Sequence, residues 1–109
     1  YINSLKILNK NIFNLKLEKK ISIYNYSAYN LESSNLKNEL FDIIFLDPPF
    51  KDRDIKNLIE QIKKLKIANS RSLIIIHRNK KSNDKISDYL NVIEEKSYGL
   101  SKIFFCKLI

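Results

Sequence analysis

Phe41-Asp42-Ile43-Ile44-Phe45-Leu46-Asp47-Pro48-Pro49-Phe50 is the stretch on which the reading of this chain turns. From Phe41 to Leu46 it is almost wholly apolar, β-branched and aromatic, as expected of a strand covered on both faces in a parallel sheet. It then runs into an acid and the two prolines of the whole chain, placed side by side. Pro48 fixes its own φ and restricts Asp47 before it, and Pro49 does the same to Pro48, so the backbone leaving the strand is stiff. The Asp47 carboxylate and the Pro48 carbonyl are acceptors that can grip an –NH₂ group, and the Phe50 ring can stack on a planar base. The set suits an exocyclic amine on a nucleobase. The plainer reading is a strand terminator with Phe50 filling the core, for which one proline would suffice.

Outward from there, Ile55, Leu58, Ile59, Ile62 and Leu65 recur at helical spacing and predict an amphipathic helix, with Asp52 or Asp54 as its N-cap. Ser72 to Ile76 is a second β-branched run, followed by polar residues from Arg78 to Asp84 and a short helix around Lys85 to Leu90. Asn91 to Lys96 and Lys102 to Leu108 read as strands joined through Tyr98 and Gly99, where glycine can take φ > 0, so an antiparallel hairpin is expected. On the N-terminal side, Ile2, Leu5, Leu8, Ile12 and Leu15 predict a helix ending near Leu17. Lys20 to Tyr26 alternates like a strand, and Asn30 to Glu39 reads as a loop or short helix. Strands alternating with helices predict an α/β fold, mostly parallel with a C-terminal antiparallel hairpin, with ligands outside the carboxyl ends of the strands.

With 109 residues the chain is one domain or part of one, and 44% hydrophobic with 29% charged residues is a globular composition. No apolar run approaches the roughly 20 residues of a membrane span. One cysteine, Cys106, and one histidine, His77, leave no internal disulfide and no zinc cluster, which fits a reducing cytoplasm. Average usage would give about eight glycines. The chain has one, Gly99, so neither a G-x-G-x-x-G loop nor a P-loop is present.

The net charge is +8, but Lys (17), Ile (18) and Asn (13) all have A/T-rich codons, so charge alone does not argue for nucleic acid. Position argues better. Lys51 and Arg53 leave the central strand's carboxyl end, and Arg78, Lys80 and Lys81 leave that of the next strand. Parallel pairing sets all five on one rim with Asp47 to Phe50, suited to phosphate contacts that position without reading sequence. Lys63, Lys64 and Lys66 read as a solvated helix face, Cys106 as a small core residue, Tyr24, Tyr26 and Tyr29 as strand filler, and His77 as a structural or solvent-facing strand end. The chain opens inside a helix without a cap, which reads as a fragment.

Asp47-Pro48-Pro49-Phe50 after a buried strand resembles the Asp/Asn/Ser-Pro-Pro-aromatic motif of S-adenosylmethionine-dependent amino methyltransferases. With the helix that follows, the Leu73 to His77 strand and the Tyr98-Gly99 hairpin, essentially the whole chain resembles the later part of the small bacterial 16S ribosomal RNA guanine-N2 methyltransferases. The resemblance implies part of a Rossmann-like methyltransferase sheet, S-adenosyl-L-methionine as cofactor, and 16S rRNA or the small-subunit ribonucleoprotein as partner of a cytoplasmic monomer. It implies that Asp47 and the Pro48 carbonyl, stiffened by Pro49, bond the guanine amine while Phe50 stacks on the extruded base. Ser27 and Ala28, where the family often has Asp-Ala, would line the adenine, with Asp47 at the methyl end. The family's first strand, glycine-rich loop and ribose-binding acid would lie upstream of Tyr1. Residues 1–109 are thus expected to form the C-terminal portion of a single methyltransferase domain, inactive alone. Two other readings stay open: a non-catalytic α/β nucleic-acid-binding remnant, and a DNA adenine-N6 methyltransferase.

Overall fold

A computed structural model describes residues 2–23, 30–31, 36–49 and 54–109. The opening apolar periodicity forms helix α1, Ile2–Asn14. The decisive stretch supplies strand β1, Ile43–Leu46, and the amphipathic pattern after it supplies helix α2, Ile55–Leu65. Strand β2, Leu73–Asn79, follows, then a single 3₁₀ turn, Ile86–Asp88, and the hairpin strands β3, Leu90–Tyr98, and β4, Ser101–Leu108. The sheet order is β1-β2-β4-β3. β1 and β2 are parallel and joined through α2, whereas β4 pairs antiparallel with both β2 and β3.

One face of the sheet carries the core. Ile55, Leu58 and Ile59 of α2 pack with Ile74, Ile76, Phe104 and Cys106, and with the half-buried Ile44 and Leu46 of β1. A second cluster of Ile62, Leu65, Ile67 and Ala68 closes the far end of α2 against Leu36 and Phe41. The other face differs from the doubly covered strand expected: Ile43 and Phe45 are 63% and 58% exposed. Only every second side chain of β1, Ile44 and Leu46, is even half-buried.

Further local expectations change for identifiable reasons. Ile21–Ile23, the described part of the strand expected over Lys20 to Tyr26, has no strand structure. The N–H groups of Lys20 and Ile21 instead turn back onto the Leu17 carbonyl, at 2.9 and 3.1 Å. The helix expected around Lys85 to Leu90 shrinks to one turn because Leu90 is already buried as the first residue of β3. Asp54 occupies the N-cap of α2 without a side-chain capping bond, and Asp52 lies outside the described residues. The C-cap is Lys66 in the left-handed region, φ 56°, a position that favours glycine. The hairpin turn behaves as expected, with Gly99 at φ 55° between the paired Tyr98 and Ser101. No helix among the described residues is long and apolar enough to cross a membrane.

Candidate active site

The strand register decides what meets at the carboxyl rim. β1 pairs with β2 as Ile43↔Leu73 through Leu46↔Ile76, so the next step sets Asp47 beside His77. Both project from the face opposite α2, since Ile44, Leu46, Ile74 and Ile76 occupy the α2 face. His77 Nδ1 lies 2.9 Å from Asp47 Oδ1, and His77 Nε2 lies 2.8 Å from Ser101 Oγ. Asp47 is 56% exposed and His77 23%. The acid is presented to solvent while one of its oxygens is held from the neighbouring strand.

Arg78 corrects the expectation of five free cations on the rim. It is 1% exposed. Its Nε donates to Asp84 Oδ2 at 2.8 Å and its Nη1 to the Pro49 carbonyl at 3.1 Å. In phase with Ile74 and Ile76, its side chain turns to the buried face, and its charge is spent on a carboxylate and on the backbone of the proline turn. Its place is to tie the Asp47-Pro48-Pro49 segment to the loop after β2.

Lys80 and Lys81 are exposed on that loop. The loop itself is fixed: Lys80 N–H donates to the Leu100 carbonyl (2.7 Å), Lys81 N–H to Asn79 Oδ1 (2.9 Å) and Lys102 Nζ to the Ser82 carbonyl (2.6 Å). A cavity of about 610 Å³ opens between this loop and the start of α2, lined among others by Lys56, Asn79, Lys81, Asn83, Lys85 and Tyr89. Asp47 and Pro48 are not among the residues that line it. Phe50, Lys51 and Arg53, with Ser27 and Ala28, lie outside the described residues. No group of three or more His, Cys, Asp or Glu side chains suited to a metal gathers among the described residues.

The geometry brings two further residues to the motif: His77, read from the sequence as a structural or solvent-facing strand end, and Ser101, which that reading did not single out. Ser101 left no signal, since the β2–β4 register that brings it near is not visible in one sequence.

The model of the family described as conserved hypothetical protein 95 matches residues 2–107. The chain belongs to this family. It is the family of 16S rRNA guanine-N2 methyltransferase-like proteins that the motif and its surroundings resemble. Within and around the family, the chain is 26% identical over 110 residues to an uncharacterized methylase of Rickettsia prowazekii (strain Madrid E), covering 90% of this chain and 45% of that protein. A solved conserved hypothetical protein of Streptococcus pyogenes superposes with a TM-score of 0.80 at 22% identity, over 98% of this chain and 66% of that one. An rRNA methyltransferase of Streptomyces viridochromogenes superposes with a TM-score of 0.62 at 10% identity, over 79% and 38%. The fold is therefore Rossmann-like, and the chain spans about half to two thirds of the length of these similar proteins.

Proposed function

We propose that this chain carries the amine-binding side of a methyltransferase site whose acceptor is the exocyclic N2 amine of a guanine in 16S rRNA. The observation that carries the reading is the Asp47-Pro48-Pro49 turn at the carboxyl end of β1, presented to solvent and held by His77 and Arg78. The methylase relative and the rRNA methyltransferase that shares the fold support it.

In this reading Asp47 Oδ2 and the Pro48 carbonyl accept the two N–H groups of the amine, which leaves the nitrogen lone pair facing the methyl donor. Phe50 stacks on the flipped base, returning roughly 1 to 3 kcal/mol of a flipping cost of a few. When bound, S-adenosyl-L-methionine would supply the methyl group: as the nitrogen takes it the S–CH₃ bond breaks, the sulfonium leaves as the neutral thioether S-adenosylhomocysteine, and the amine's surplus proton passes to solvent. The acceptor chemistry of Asp47 fits the positive methyl end, and Ser27 and Ala28 are assigned to its adenine. The chain's one glycine lies in the β3–β4 hairpin, so residues 1–109 offer no glycine-rich turn for the rest of the cofactor. Lys80 and Lys81 on their fixed loop, with Lys51 and Arg53, contact phosphates, and Arg78 does not.

Methyl transfer to 16S rRNA or small-subunit particles by the complete protein tests the reading. Asp47→Ala lowers kcat by roughly 100-fold or more, with the KM for the methyl donor little changed. Retention of most of the turnover overturns it. Neutralising Lys80 or Lys81 lowers the log–log salt slope of RNA binding by roughly 0.7 to 0.9 for each phosphate no longer neutralised.

A further inference from the structure

We propose that His77 is a positioning residue for Asp47, itself set by Ser101, so that three adjacent strands together aim one carboxylate. The proposal rests on the reading of Asp47 as the amine acceptor. Its basis is the chain of contacts Asp47 Oδ1 to His77 Nδ1 at 2.9 Å and His77 Nε2 to Ser101 Oγ at 2.8 Å, which runs from the end of β1 across β2 to the first residue of β4.

An ionised carboxylate only accepts, so the ring proton facing Asp47 sits on Nδ1. In the neutral ring Nε2 then accepts from the Ser101 hydroxyl, and in the charged ring Nε2–H donates to the same oxygen. A hydroxyl serves both states, so the ring keeps its place whichever is present. For Asp47 the result is control at two levels. Pro48 narrows the backbone of the residue before it, and His77 fixes the side chain by one oxygen. Among the described residues the second oxygen has no hydrogen-bond partner and is left to an amine, which sets the direction in which the nitrogen lone pair is presented.

Stability does not account for the arrangement. Asp47 is more than half exposed, and a pair so open to solvent adds little to folding. Orientation of a reacting group is another matter, because a displacement of about 1 Å can cost roughly 100-fold in rate. Removing His77 is therefore expected to change turnover far more than melting.

Two measurements decide it. On the chain itself, ring ¹⁵N shifts of neutral His77 report the Nδ1–H tautomer, and Asp47→Ala shifts the ring away from it. In the complete protein, His77→Ala lowers kcat by roughly 10- to 100-fold with the KM for the methyl donor unchanged. His77→Asn, whose amide nitrogen takes the place of Nδ1, restores most of the loss. His77→Gln reaches the place of Nε2, keeps only the Ser101 contact and does not restore it. An Nε2–H tautomer, a tautomer indifferent to Asp47→Ala, or equal turnover of the wild-type protein and His77→Ala overturns the proposal, as does an Asn variant no better than Ala. Failure of the amine-acceptor reading looks different: the wild-type protein methylates no amine acceptor while the Nδ1–H tautomer still depends on Asp47.

Discussion

The two ends of the parallel pair β1–β2 are built from different chemistry. At the amino end the buried fastenings are neutral and inward. Ser72, buried, donates to the Phe41 carbonyl at 2.7 Å and accepts from Asn69 N–H at 3.0 Å. Phe41 N–H reaches the Ile67 carbonyl at 2.9 Å, and Gln61 Oε1 accepts from Leu31 N–H at 2.6 Å. At the carboxyl end the fastenings are charged: His77 to Asp47, and Arg78 to Asp84 and the Pro49 carbonyl. The amino end closes loops over the core, while the carboxyl end holds a stiff turn so that one charge stays outside. Arg78 crosses this division, for it stands at the functional end and is buried like a core residue.

Arg78→Ala gives the largest expected effect, because it strands the Asp84 carboxylate in a nearly closed site. The loss is about 3 to 5 kcal/mol of unfolding free energy, read by urea denaturation. A loss below about 1 kcal/mol would return Arg78 to the surface cations and erase the crossing. Ser72→Ala comes next at about 1 to 3 kcal/mol, since it leaves a carbonyl and an N–H without their partner. The same change should leave turnover in the complete protein unaltered, and an activity defect would blur the division. Lys66→Gly is expected to stabilise by about 1 kcal/mol, since a left-handed C-cap penalises a side chain. Asp47→Ala should alter stability least, within about 0.5 kcal/mol, despite the largest expected effect on chemistry.

The elements with a local signature were legible in the sequence. α2 follows from a five-residue apolar stripe, β1 and β2 from continuous apolar runs, and the hairpin from a single glycine at φ 55°. Contacts set by register were not legible. Nothing in one sequence states that position 47 lies beside 77, or that β4 and not β3 adjoins β2. Arg78 is an intermediate case. Its parity puts it on the same face as Ile74 and Ile76, but that this face is the covered one was not legible, and the polar run that begins with it suggested a residue leaving the strand, although β2 continues to Asn79. The exposed side chains of Ile43 and Phe45 show the limit of an apolar run as evidence: it marks a strand without saying which faces are covered.

Cys106, the chain's one cysteine, lies in β4 between Ile74 and Val92, fully enclosed. Burial pushes its thiol up from 9.0 to about 11. The reacting form of a thiol is its anion, which the closed sheet both hides and disfavours. Labelling by a thiol reagent therefore requires the core between α2 and the sheet to open, and its rate times that opening with a single probe atom. The same burial sets an alkaline limit. The folded chain holds the proton more firmly than the unfolded one, so this contribution to stability is complete below about pH 9 and declines by about 2 to 3 kcal/mol as pH rises towards 11. The sulfur atom is thus a clock at neutral pH and a weak point in alkali.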